Sequence, residues 1–205
     1  MLNRFARTLI TRLFTPLARG LLRLGISADA VTIVGTLGVC VGALVFYPRG
    51  EFLVGTLVIT AFVFADNVDG IMARLSGHQS SWGAFLDSVL DRVGDAAIFI
   101  GLALWFAGGG NSLRLTALCL ACLALGAVVS YAKARAEGLG YTADVGIAER
   151  AERLIAVLVA TGLVGLFDLP VVVLEVILWL LAVASLWTVL QRILMVRRQA
   201  TVERV

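Results

Sequence analysis

Residues 66–91 read DNVDGIMARLSGHQSSWGAFLDSVLD, and the rest of the chain is arranged around this stretch. It places four carboxylates, Asp66, Asp69, Asp87 and Asp91, on the ends of two otherwise apolar segments joined by a polar link from Ser76 to Ser81. The first pair is spaced i,i+3 and the second i,i+4, so on helices each pair projects from one face. If the two helices lie antiparallel, the four carboxylates converge. Converging acids repel one another and resist burial, so the arrangement calls for cations. Oxygen donors alone suit hard ions, magnesium or manganese first.

The setting is a membrane. Of 205 residues, 60% are hydrophobic and 15% charged, and the mean hydropathy of +0.97 implies several membrane spans. The net charge of +3 comes from arginines near the ends of apolar segments, Lys133 being the sole lysine. That distribution suits anionic headgroups or phosphate-bearing substrates and argues against nucleic acid, which demands a dense basic stripe. Cys40, Cys119 and Cys122 all fall inside apolar runs and read as packing or lipid-facing positions. No cleavable signal peptide is expected, because Arg12, Arg19 and Arg23 interrupt any apolar core near the start.

Taken in order, Leu2, Phe5, Leu9, Leu13 and Leu17 recur at helical spacing, with Arg4, Arg7, Arg12 and Arg19 mostly on other faces. Residues 1–22 therefore read as an amphipathic helix on the cytoplasmic membrane surface. Residues 23–205 read as one all-α membrane domain of six transmembrane helices, with no soluble domain and no internal repeat. The first span runs from Ile26 to Tyr47, with Ser27 as N-cap and Pro48-Arg49-Gly50 as its stop. The second starts at Phe52 and runs into the acidic segment, the third covers Gly83 to Ala107, and the fourth Leu113 to about Ala136. The fifth opens on Glu149, Arg150, Glu152 and Arg153 and ends near Pro170; the sixth covers Val171 to about Val196. Only Arg49 and Arg114 fall at the outer ends, so the positive-inside rule places the acidic site on the cytoplasmic face of a multi-pass cell-membrane protein.

The acids belong to a longer pattern: D66-x-x-D69-G70-x-x-A73-R74, eight residues, then G83-x-x-x-D87-x-x-x-D91. This resembles, at every specified position, the signature of the CDP-alcohol phosphatidyltransferase family. Members join a lipid phosphatidyl group to an alcohol, by attack of a hydroxyl on a diphosphate with loss of CMP. Two divalent ions about 3.5–4 Å apart can clamp such a diphosphate and offset the leaving group's charge. The resemblance implies two Mg2+ per site (or Mn2+), with Asp66, Asp69 and Asp87 as ligands and Asp91 as both ligand and catalytic proton acceptor. It further implies CDP-diacylglycerol contacts from Asp29, Ala30, Val31, Thr32, Gly70, Ala73, Arg74 and Ser80, and a homodimer in the lipid bilayer. Gly70, Ala73 and Gly83 remove bulk where a nucleotide must approach, and the Arg74 fork suits phosphate. His78 has no His or Cys neighbour and reads as solvated, and Asp95, one turn beyond Asp91, reads as the partner of a nearby arginine or a support for the site. An ion pathway in a divalent-cation transporter is the rival from another class; it predicts carboxylates spread through the membrane depth rather than gathered near one face.

The acceptor is read outside the signature. Lys133, Arg153 and Arg192 fall at the level of the acids, at the ends of the fourth, fifth and sixth helices, where a phosphorylated acceptor needs cations. FLDSVLDRVGDA (85–96) and YAKARAEGLGYTADVGIAERAERL (131–154) resemble the actinobacterial phosphatidylinositol phosphate synthases. That likeness implies inositol 1-phosphate (1D-myo-inositol 3-phosphate) as acceptor, bound by those three cations. Glycerol 3-phosphate is the alternative and would use the same pocket.

Overall fold

The computed structural model describes residues 14–76 and 80–202, apart from the side chains of Asp66, Asn67 and Val202. Helix α1 covers residues 14–23, followed by α2 (Ala28–Val41), α3 (Phe52–Ser76), α4 (Ser81–Ala107), α5 (Leu113–Glu137), α6 (Arg150–Phe167) and α7 (Val172–Val202). Local chemistry sets the starts. The Ser27, Ser80 and Ser112 hydroxyls accept from the backbone N–H groups of Ala30, Gly83 and Leu115, capping α2, α4 and α5. Past Val41 helix α2 loosens into a wider turn over Gly42–Phe46 and tightens over Tyr47–Arg49, and left-handed Gly50 ends it.

Four described helices, not six, are long and apolar enough to cross a membrane: Ala28–Arg49, Phe52–Ser76, Leu113–Glu137 and Val172–Thr201. The expectation of six spans counted segments by length. Helix α4 is long enough but carries Asp87, Asp91, Arg92 and Asp95 along its first half. Helix α6 has only 18 residues and opens on Arg150, Glu152 and Arg153. Both keep charges that lipid would penalise, and both lay those charges against each other inside the bundle.

Helix α2 packs against both α3 and α4, α5 against α4 and α7, and α6 against α3 and α7. One core joins them, with Tyr47, Ile59, Ile98, Leu102, Phe106, Val157 and Leu178 all buried. Leu37, Leu57, Leu104, Leu120, Val159, Leu180 and Trp187 remain exposed around the outside, as a lipid-facing belt requires. The contact between α4 and the wider turn that extends α2 is close: a Cβ on Gly101 would lie 2.3 Å from the Ala43 carbonyl oxygen. Because that obstacle is backbone, Gly101→Ala must part the two helices, at about 1–3 kcal/mol. The purified variant is expected to melt several degrees below the unaltered protein in a thermal unfolding scan; an unchanged midpoint would show that the contact yields freely.

The first 13 residues of the expected surface helix lie outside the described residues. Its second half is held by protein: Ala18 is buried on Val68, Ile71 and Met72 of α3, with Phe14, Leu21 and Leu22 packed around it. This braces the end of α3 that carries Asp69 and Arg74.

Candidate active site

An open cavity of about 290 Å³ lies where α2, α3 and α4 meet at the acidic end of the bundle. Ala28, Asp29 and Thr32 line it from the first turns of α2, and Asp69, Gly70, Ala73 and Arg74 line it from α3. Ser80, Gly83, Ala84 and Asp87 complete it from α4. The serine caps bring two helix N-termini to the cavity mouth, and helix N-termini favour anions. The wall stays low where side chains are missing. A Cβ on Gly70 would meet only Arg74 Nη1, at 3.8 Å, and one on Gly83 would face Ser80 Oγ at 3.3 Å and Asp29 Oδ1 at 3.6 Å.

Hydrogen bonds fix the carboxylates. Thr32 Oγ1 donates to Asp69 Oδ2 at 2.5 Å, tying α2 to α3. Trp82 Nε1 donates to Asp29 Oδ2 at 3.1 Å, tying α4 to α2. Thus six of the expected nucleotide contacts (Asp29, Thr32, Gly70, Ala73, Arg74 and Ser80) share one cavity with two of the expected metal ligands, Asp69 and Asp87. The other two contacts do not line it: Ala30 gives its N–H to the Ser27 cap, and Val31 packs beside the α1 cluster.

The remaining acids stand differently. The Asp66 side chain and His78 lie outside the described residues. Asp91 lines a separate narrow crevice with Asp95 and Arg150. Its carboxylate pairs with Arg150 Nη1 at 2.9 Å and Arg92 Nη1 at 3.6 Å. Among the described residues, no three His, Cys, Asp or Glu side chains form a group placed to hold an ion. Asp69 and Asp87, two carboxylates on one open cavity with Arg74 as a lining cation, are a donor set suited to a hard divalent ion. Asp95 is the arginine partner the sequence suggested, bonding Arg150 Nε at 3.0 Å and Arg153 Nη2 at 3.4 Å.

The three cations expected to form a phosphate pocket each have a protein partner. Lys133 Nζ meets Asp144 at 2.5 Å, and its hydrogen bond and charge hold that exposed carboxyl below the usual range, with a further contribution from Arg192. Arg153, only 3% exposed, donates to the Ala148 carbonyl at 3.0 Å as well as to Asp95. Arg192, also 3% exposed, donates to the carbonyls of Val145 and Val129 and to Glu149. Between them they gather the irregular segment 138–149, which Thr188 also holds by accepting the N–H groups of Ile147 and Ala148. Cys122 gives its thiol to the Leu178 carbonyl, a packing role consistent with its apolar surroundings.

Arg150, expected only as one of the charges opening the fifth helix, and Trp82, given no role from the sequence, both contact carboxylates at the acidic end. Arg150 lies three residues before Arg153 on the same helix face, so spacing places the two arginines side by side, although it does not show which carboxylates they meet. Trp82 had no such signal, since only folding brings α4 and α2 together.

Residues 26–190 match the CDP-alcohol phosphatidyltransferase family model. The chain is 57% identical, over 205 residues, to the phosphatidylinositol phosphate synthase of Streptomyces avermitilis, an overlap covering 98% of this chain and 84% of that protein. It is 47% identical over 193 residues to the enzyme of the same name from Cutibacterium acnes, covering 91% of this chain and 93% of that one. Among solved structures it resembles Mycobacterium tuberculosis phosphatidylinositol phosphate synthase with CDP-DAG bound, with a TM-score of 0.87 and 45% identity over 90% of this chain and 94% of that one. It also resembles the same enzyme in complex with manganese and citrate, with a TM-score of 0.86 and 44% identity over 89% of this chain and 88% of that one. A family match across most of the helices, joined to a cavity that gathers Asp69, Gly70, Ala73, Arg74, Gly83 and Asp87 of the signature, makes this chain a member of the CDP-alcohol phosphatidyltransferase family.

Proposed function

We propose that the protein transfers the phosphatidyl group of CDP-diacylglycerol to inositol 1-phosphate (1D-myo-inositol 3-phosphate), giving phosphatidylinositol phosphate and CMP. The observation that carries this reading is the single cavity joining Asp29, Thr32, Arg74 and Ser80 to Asp69 and Asp87. The names of the relatives supply the acceptor class, and the CDP-DAG held by the tuberculosis enzyme supports the donor.

The residues divide the work. Gly70, Ala73 and Gly83 leave room for the nucleotide, and Arg74 offers its fork to the diphosphate. Asp66, Asp69, Asp87 and Asp91 would hold two divalent ions, magnesium or, as in the related crystal structure, manganese. When bound, such ions supply positive charge against the charge that gathers on the departing CMP. The acceptor hydroxyl attacks the phosphorus of the phosphatidyl group, the P–O bond to CMP breaks, and Asp91 takes the hydroxyl proton. An aspartate is a weak base, so the hydroxyl must be made acidic by its position. Lys133, Arg153 and Arg192 receive the acceptor's phosphate, exchanging a carboxylate or carbonyl partner for a phosphate oxygen. The cavity faces the cytoplasm, where the water-soluble acceptor arrives, while the acyl chains enter sideways from lipid. Two copies form the working homodimer, each with the single membrane domain following residue 22.

The test is CMP release by purified protein with CDP-diacylglycerol and magnesium. Inositol phosphate, glycerol 3-phosphate, free inositol and serine are supplied in parallel. Release with inositol phosphate alone is expected. Release with glycerol 3-phosphate instead would keep the donor site and replace the acceptor.

A further inference from the structure

We infer that Trp82 is a positioning residue for the nucleotide, acting through Asp29; the inference rests on the reading of the α2–α3–α4 cavity as the nucleotide site. Trp82 stands in the first turn of α4, two residues after its cap Ser80, and is 59% exposed. An indole at such a place can satisfy its N–H with water. Here the N–H instead spans from α4 to α2 and donates to Asp29 Oδ2 at 3.1 Å. Asp29 is the acidic residue of the first turn of α2 and lines the cavity.

The two oxygens of Asp29 are thereby distinguished. Oδ2 is taken by the indole, while Oδ1 is turned toward Gly83, 3.6 Å from where a side chain there would begin. An ionised carboxylate accepts hydrogen bonds and repels phosphate, so Asp29 serves the nucleoside part of the donor lipid, its ribose hydroxyls or exocyclic amine. The diphosphate belongs on the Arg74 side. Without the indole, Asp29 retains its charge and loses its fixed orientation, so binding weakens while the reacting groups on α3 and further along α4 stay in place.

A plain interfacial anchor is the competing role for an exposed tryptophan beside Phe85, whose ring centroid lies 6.0 Å away. Trp82→Phe separates the two, because it keeps the aromatic anchor and removes only the donor. The expected result is a rise of about three- to tenfold in the KM for CDP-diacylglycerol, the size of one lost hydrogen bond, with kcat within about twofold. The inhibition constant of CMP, which has no acyl chains to anchor, should rise by the same factor. In an Asp29→Ala background, Trp82→Phe should add no further change. If Asp29→Ala weakens CMP and Trp82→Phe does not, Trp82 is an anchor and the inference is overturned. If Asp29→Ala leaves CMP inhibition unchanged, the cavity is not the nucleotide site, and the inference falls with that reading.

Discussion

Asp87→Asn is expected to lower CMP release by about 10²–10³-fold while leaving the protein folded. The substitution keeps the shape of the side chain and removes its charge. Asp87 and Asp69 line one cavity from different helices, and among the described residues that line it Arg74 and Asp29 carry the other full charges. Two neighbouring carboxylates repel each other, so neutralising one relieves that repulsion and should not cost stability. What it removes is a ligand for hard divalent ions. Two measurements together decide the matter: Mn2+ binding followed by electron paramagnetic resonance, and turnover at saturating magnesium. Weakened Mn2+ binding with lost turnover and an unchanged melting temperature is the expected set. Turnover like that of the unaltered protein would remove Asp87 from the site, and a collapsed melting temperature would make it a structural residue.

The candidate site was legible because its parts are close in sequence or set by helical period. Asp69, Gly70, Ala73 and Arg74 lie within two turns of α3, and Ser80, Gly83 and Asp87 within two turns of α4. Once both are helices, their shared faces follow. Ser27 was readable as a cap, since a side-chain oxygen before an apolar run serves the orphan N–H groups whatever the rest of the fold, whereas Ser80, expected only as a nucleotide contact, also caps α4, which starts two residues before the expected Gly83.

The number of spans was not legible in the same way. Helices α4 and α6 have spanning or near-spanning length, and what sets them apart is charge on their acidic ends. Those charges are matched across the bundle, Asp91 and Asp95 on Arg150 and Arg153, and a pairing between residues more than fifty positions apart leaves no local trace. The same limit governs the basic residues. Their level in the membrane could be read from position, but the acceptors they meet are largely backbone carbonyls of an irregular segment, at Val145 and Ala148, which carry no side-chain signal.

That segment underlies the second large effect, the loss of stability expected for Arg192→Gln. Arg192 Nε donates to the Val145 carbonyl at 3.0 Å, Nη1 to the Val129 carbonyl at 2.6 Å, and Nη2 to Glu149 Oε1 at 3.1 Å. One side chain on α7 therefore holds α5, segment 138–149 and the cap residue of α6 together. Glutamine is shorter and has a single amide group, so it cannot reach three directions at once. The buried Val129 carbonyl left without a donor costs about 1–3 kcal/mol, and the half-buried Val145 carbonyl somewhat less. The Glu149 contact contributes less, because that carboxylate is half-exposed and water screens it. A fall of roughly 5–15 °C in melting temperature is expected for a chain of this size. Glu149→Gln supplies the contrast, since it leaves both carbonyl bonds intact and should melt close to the unaltered protein. If Arg192 also receives the acceptor's phosphate, Glu149→Gln removes a competitor and the KM for inositol phosphate falls, whereas in Arg192→Gln it rises. Equal melting temperatures for all three proteins would deny Arg192 its structural part, and an unmoved KM in both variants would take it out of the phosphate pocket.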